Sequence, residues 1–95
     1  MGVFVYDRRM SYFVYIVRCS DHTLYTGITR ELHRRIDEHN GIGEKPGAKY
    51  TRGRRPVTLV YSKQYKDRSE AGKEEWRIKK LSIQEKELLI GESNR

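Results

Sequence analysis

Arg35 and His39 stand four residues apart, a spacing that puts a guanidinium and an imidazole on one face of a helix beside the apolar Leu32 and Ile36. The first is a permanent cation that can clamp an anionic oxygen. The second titrates close to neutrality and can take or give a proton. Both could instead snorkel or bond locally to Asp37 or Glu38. Further along, Glu74 and Glu75 flank a stripe formed by Ala71 and Ile78, so that one carboxylate is partly withdrawn from water, and helical geometry alone does not choose between them. A carboxylate beside an electropositive surface suits a hard divalent cation, Mg²⁺ or Mn²⁺, that takes oxygen ligands and keeps several waters. The ordinary alternative is surface pairing of Glu75 with Lys79 and of Glu74 with Arg77, worth about 0.3 to 0.5 kcal/mol each.

Two tyrosines complete the set. Tyr15 lies in the aromatic, β-branched run from Tyr12 to Cys19, and Tyr25 lies in the run Leu24 to Thr29. A three-residue turn at Ser20 to His22 would set Val17 opposite Tyr25 and Tyr15 opposite Gly27, bringing both hydroxyls to one face. Gly27 would then leave a gap through which a phosphate or a water could approach the Tyr15 phenol. Standing alone, the two tyrosines read as sheet aromatics.

These side chains need a scaffold, and the patterning supplies one. The two runs make a hairpin, the first strand carrying apolar residues at both parities as a strand covered on both faces does. Thr29 is placed to cap a helix running to about Asn40, stopped by Gly41. Residues 41 to 56 form a long polar connection. Val57 to Tyr65 alternates as a third strand, with Val57, Leu59 and Tyr61 on one parity. Asp67 with Glu70, and Ser82 with Glu85, carry capping signatures ahead of two further helices. The expected fold is α+β: a three-stranded antiparallel sheet flanked by three helices in the order β-β-α-β-α-α. Residues 12 to 90 form the single domain, and residues 1 to 11 read as a poorly ordered extension.

The chain has 95 residues and a net charge of +7, with 36% apolar residues and one cysteine. A chain of this length buries roughly 60 to 65% of its unfolded surface, enough for one modest core. No apolar run is long enough to span a membrane, there is no secretory pattern, and the lone Cys19 cannot form an internal disulfide, so a reducing cytoplasm is the expected location. Residues 30 to 80 hold fifteen Lys and Arg against eight acids, which is the whole of the excess. Within them, Lys45 to Pro56 reads KPGAKYTRGRRP and contains no carboxylate. Such a segment neutralises phosphates and releases counterions, giving salt-dependent binding largely blind to sequence. Solvated surface is the bland alternative.

Taken together, these residues resemble the GIY-YIG nuclease superfamily, and within it the small stand-alone bacterial members of the UPF0213 type. The resemblance covers residues 12 to 90. Phe13-Val14-Tyr15 corresponds to the first motif, with Phe13 in place of the leading glycine, and Tyr25-Thr26-Gly27 to the second; the helix with Arg35 and His39 follows, and the acidic position falls on Glu75. The GAKYTRGRRP segment and the EEW at Glu75 are also similar to the nuclease subunit of eukaryotic branched-DNA endonucleases. Ile28 stands where excision-repair relatives carry a lysine.

The resemblance implies a metal-dependent endonuclease that hydrolyses phosphodiester bonds of nucleic acid, DNA ahead of RNA, by structure rather than sequence. Glu75 would hold one divalent ion, Mg²⁺ or Mn²⁺; Arg35 would clamp a non-bridging oxygen; Tyr15 or Tyr25 would orient or deprotonate the attacking water; His39 would assist proton transfer. Lys49, Arg52, Arg54 and Arg55 would engage flanking phosphates, with Tyr50 stacking on an unpaired base. Two other readings stand beside this one. The same basic surface could serve a non-catalytic DNA- or RNA-binding module working for a partner enzyme or the ribosome, or its charges could serve solubility alone.

Overall fold

The computed structural model describes residues 11 to 95. Of the expected N-terminal extension, residues 1 to 10 lie outside the described residues. Ser11 is buried, and its hydroxyl accepts a hydrogen bond from Gln64 Nε2 at 2.6 Å.

Strands β1 (Tyr12–Arg18), β2 (Leu24–Thr29) and β3 (Thr58–Tyr65) form one antiparallel sheet in the order β2-β1-β3. Helices α1 (Leu32–His39), α2 (Lys49–Arg52), α3 (Arg68–Lys79) and α4 (Ile83–Ser93) complete the chain. The three expected helices are therefore present, and the polar connection adds a single helical turn, α2.

Because β1 is central, both of its faces are covered. Val14 and Ile16 join Tyr61, Ala71, Ile78 and Ile90 in one buried cluster beneath α3 and α4. Tyr15, Val17 and Cys19 join Val57 in a second, against which Tyr25, Leu32, Ile36 and Leu59 pack. This explains the apolar residues at both parities of β1. In β3 the expected single parity of Val57, Leu59 and Tyr61 does not hold. The pairing with β1 shifts between Ile16 and Val17, leaving Val60 as an extra residue, so Tyr61 turns to the cluster opposite that of Val57 and Leu59.

The hairpin has the register that a three-residue turn dictates: Val17 faces Tyr25 and Tyr15 faces Gly27. The turn is closed by Cys19 N–H donating to Thr23 O at 2.8 Å, and His22 takes the positive φ of 70°. Entry to α1 differs from expectation. The N-cap position is Glu31, and Thr29 instead uses its Oγ1 to accept from the Glu31 N–H at 3.1 Å, a local turn that delivers the chain to the helix. α3 is capped by Asp67 accepting from the Glu70 N–H at 2.8 Å, and α4 by the reciprocal Ser82–Glu85 capping box.

Gly27 shows why a strand interior here lacks a side chain. A Cβ at this position would lie 2.4 Å from Tyr15 Oη and 2.6 Å from Cζ. The expected gap for an approaching phosphate is therefore occupied by the Tyr15 ring, which leans over the edge strand. Gly27→Ala is expected to destabilise the fold by roughly 1 to 3 kcal/mol, as overpacking does, because buried Tyr15 has no room to retreat. Urea denaturation measures this; an unchanged midpoint contradicts the steric account.

Candidate active site

The site begins at the phenol that Gly27 accommodates. Tyr15 Oη lies 2.7 Å from His39 Nε2, and His39 Nδ1 lies 2.8 Å from Thr51 Oγ1. All three side chains are essentially inaccessible to solvent. Thr51 Oγ1 is in turn 3.0 Å from the Ala48 carbonyl oxygen. With Nδ1 protonated, Tyr15 O–H donates to Nε2 and Nδ1–H donates to Thr51 Oγ1; in the opposite tautomer Nδ1 accepts from the Ala48 N–H at 3.4 Å and Nε2–H donates to the phenol oxygen.

Three segments bring these groups together. β1 supplies Tyr15, the last turn of α1 supplies His39, and α2 supplies Thr51. The connection between α1 and α2 is drawn tightly against the helix end: a Cβ on Gly47 would lie 2.7 Å from both Glu38 O and His39 Cα. Behind it, Asn40 bonds both ways with Val57, donating from Nδ2 to Val57 O at 3.0 Å and accepting from Val57 N–H at 2.7 Å. Arg55 Nε donates to His39 O at 2.9 Å. The long basic segment is thus folded back onto α1.

The electrostatics follow from this burial. His39 is pushed down to about 4, first by burial and then by the neighbouring Arg35 cation, with Glu38 acting the other way and Arg55 adding to the depression. Tyr15 is pushed up to about 12, first by burial and then by Tyr25; Arg35 opposes the rise and the Glu75 carboxylate adds to it. Arg35 acts on the Tyr15 hydroxyl from the same side of α1 as His39. Its Nη1 donates to Glu38 Oε1 at 2.8 Å and to Pro46 O at 3.3 Å, so the guanidinium is held by a carboxylate that is itself buried. The local Arg35–Glu38 bond expected of an ordinary helix is therefore present, and it fixes the cation beside the phenol.

A depressed His39 has a consequence for stability. The unfolded chain gains a proton there near pH 6.5, while the folded chain resists it until about pH 4. The stabilisation is fully present above pH 6.5 and is lost as pH falls through that window, by on the order of 3 kcal/mol. Melting temperature is expected to drop between pH 6.5 and 4, and His39→Gln to flatten that part of the curve. An equally steep curve in the variant would place the titration elsewhere.

The two carboxylates of α3 are now distinguished. Glu74 accepts from Tyr65 O–H at 2.8 Å and pairs with Arg77, so it is committed to β3 and its own helix. Glu75 pairs with Lys79 at 3.4 Å, stays partly exposed, and is the one whose charge acts on Tyr15. Among the described residues no three His, Cys, Asp or Glu side chains converge as a metal cage. A lone carboxylate does fit Mg²⁺, which keeps several waters and completes its shell with phosphate oxygens.

Tyr25 packs edge-on to the His39 ring, with centroids 5.2 Å apart, and stacks on Tyr50 at 5.9 Å. Tyr50 also carries the Arg54 guanidinium 4.0 Å over its ring. Arg54 donates to Asp21 Oδ2 at 2.9 Å and to Tyr50 O at 2.8 Å. Arg54 and Arg55 therefore fasten the basic segment, whereas Lys49 and Arg52 on α2 face solvent. The residues that sequence reading missed are Thr51 and Asn40, and Glu38 enters that reading only as a local partner for Arg35 or His39. Only the i, i+3 spacing of Arg35 and Glu38 carried a signal; Thr51 acquires its part from a helical turn inside a stretch that reads as loop.

A family model described as the GIY-YIG catalytic domain matches residues 11 to 87. A UPF0213 protein of Desulfotalea psychrophila is 54% identical over 87 residues, covering 92% of this chain and 77% of the relative. One from Halobacterium salinarum is 52% identical over 77 residues, covering 81% and 96% respectively. Among solved structures, the solution NMR structure of a UPF0213 protein from Bacillus halodurans superposes with a TM-score of 0.56 at 41% identity, covering 86% of this chain and 84% of the other.

Proposed function

Since this chain belongs to the GIY-YIG catalytic domain family, among its UPF0213 members, we propose that it hydrolyses phosphodiester bonds of nucleic acid at the Tyr15 hydroxyl. The observation that carries this reading is a buried phenol oxygen 2.7 Å from an imidazole nitrogen with the Arg35 guanidinium acting on the same hydroxyl. Surface decoration does not bury a phenol against a histidine nitrogen and then set a cation beside it.

The geometry supports the following division of labour. Arg35, held in place by Glu38, binds a non-bridging phosphate oxygen and lowers the cost of ionising Tyr15. Tyr15 Oη takes a proton from the attacking water while its own proton passes to His39 Nε2 across 2.7 Å. In the tautomer this step needs, Nδ1–H donates to Thr51 Oγ1 and Nε2 is the nitrogen that accepts. Glu75 would hold a divalent ion, Mg²⁺ or Mn²⁺, which when bound would supply positive charge against the negative charge that builds up during phosphodiester hydrolysis. Tyr25 buttresses the imidazole and joins the site to the basic segment through Tyr50. Lys49 and Arg52 would engage phosphates to either side, and the more engaged Arg54 and Arg55 would add their charge.

Nucleic acid bound without base-sequence readout is the proposed substrate, because the basic surface reads charge and not base sequence, with DNA placed ahead of RNA as in the family resemblance. The test is incubation of the full chain with labelled single-stranded, duplex and branched DNA and RNA in the presence of Mg²⁺, Mn²⁺ or chelator. Ion-dependent cleavage that chelator stops is the expected result. Binding of all substrates with no cleavage under any ion would favour the non-catalytic module.

A further inference from the structure

Helix α3 presents two faces, and the site uses only one. Ala71 and Ile78 are fully buried against the sheet, with Glu75 at the border. On the opposite side Trp76 is 62% exposed, an unusual position for the largest apolar side chain in so small a protein. It walls a shallow groove of about 650 Å³ together with Ser69, Gly72, Lys73 and Arg77. Gly72 forms the open part of its floor, since a Cβ there would meet nothing within 4 Å. No carboxylate lines the groove. Lys80 Nζ sits 3.7 Å over one face of the indole and is not part of the groove lining, so a stacking group would take the other face.

We propose that this groove is a nucleobase shelf, in which Trp76 stacks an unpaired base of the strand being cut while Lys73 holds a neighbouring phosphate. The proposal rests on the nuclease reading for its position and on the groove itself for its chemistry. A flat aromatic wall, a floor without a side chain and a cationic rim suit a base with its phosphates, whereas an apolar protein partner would gain nothing from a rim of cations. Position agrees: Trp76 is the next residue after Glu75, turned by about 100° around the helix. A strand with one phosphate at Glu75 would therefore run over Gly72 and bring an adjoining base onto the indole. A base held in a continuous duplex is already stacked and cannot take that place, so the shelf would favour single-stranded or frayed substrate.

Trp76 is the only tryptophan of the chain, so its emission reports on the shelf directly. The full chain is titrated with oligothymidine, a blunt duplex of equal length and inorganic polyphosphate, all in EDTA so that no turnover is needed. Oligothymidine is expected to quench the emission strongly, the duplex weakly, and polyphosphate to bind without quenching. By anisotropy of a labelled single strand, Trp76→Ala is expected to raise Kd roughly 5- to 100-fold, and Trp76→Phe to restore most of the affinity. Unchanged emission at saturating oligothymidine, equal quenching by polyphosphate, or wild-type affinity in Trp76→Ala would overturn the shelf. So would an emission change driven by protein concentration alone, which would mark the face as a contact between copies. Because no arm requires cleavage, a chain that binds with quenching but never cuts would retain the shelf and lose only the nuclease reading.

Discussion

Glu75→Gln is expected to abolish cleavage while leaving nucleic-acid binding unchanged or slightly tighter. The substitution keeps the shape of the side chain and removes the charge that would hold a divalent ion. Such an ion contributes several kcal/mol of charge stabilisation in the transition state, and at about 1.4 kcal/mol per decade its loss amounts to a rate reduction on the order of a thousandfold or more. Binding should survive because a negative charge near the phosphate is removed and no cation is lost. Folding should survive too, since the Lys79 partner is an exposed helix pair of little energetic weight. Glu74→Gln is the informative control: that carboxylate is engaged by Tyr65 and Arg77, so the change should lower stability and spare turnover. Rates are read on the same labelled substrate for both variants. Undiminished cleavage by Glu75→Gln, or equal losses in the two, would remove Glu75 from the reaction.

Tyr15→Phe carries the second large effect and decides between the two tyrosines. Phenylalanine fills the same volume over Gly27, but it withdraws the hydroxyl that bonds to His39 Nε2 and that would, in the proposed reaction, take the proton of the attacking water. A lost proton-transfer group lowers turnover by about 10² to 10⁴, and the orphaned imidazole nitrogen costs about 1 to 3 kcal/mol of stability. Tyr25→Phe should cost less than about tenfold, because the ring contacts with His39 and Tyr50, which constitute its observed role, are retained. The pH profile adds an independent reading. With His39 neutral above about 4 and Tyr15 protonated until about 12, no ionisation of either falls near pH 6.5 in the free enzyme. Cleavage by wild type should therefore show no histidine inflection there. A bell centred near neutrality would mean that His39 titrates freely, contrary to its burial.

The basic segment illustrates how structure redistributes work among residues of one type. Lys49, Arg52, Arg54 and Arg55 are alike in composition, yet Arg54 spans Asp21 and Tyr50 and Arg55 reaches the His39 carbonyl. Those two guanidinium groups hold the segment closed over the imidazole. The several donors of a guanidinium let Arg54 bond Asp21 and Tyr50 at once, which a single ammonium would do less well. Arg52 and Lys49, on the exposed side of α2, are left as the freer cations of the four.

Local chemistry determined a good deal of this protein by itself. The hairpin register followed from the turn length, because a strand alternates with a period of two and a three-residue connection permits one alignment. The helices after β3 announced themselves through Asp67 and Ser82, whose side chains satisfy backbone donors within three residues. Arg35 and His39 share a face because helical spacing leaves no choice. Tertiary structure decided what spacing cannot carry. Nothing in the chain before folding places Thr51 beside His39, since the contact joins a turn within a polar stretch to the end of another helix. Nor does helical geometry tell Glu74 from Glu75; the choice was made when Tyr65 on β3 engaged one of them and left the other partly exposed beside Lys79. The parity of Tyr61 changed because one extra residue was accommodated opposite β1. Gly27 drew attention as a residue without a side chain, but only packing revealed that its empty place belongs to the Tyr15 ring. Short-range hydrogen bonds and periodicity are written in neighbouring residues, whereas the burial that moves a proton affinity is created only when distant segments exclude water together.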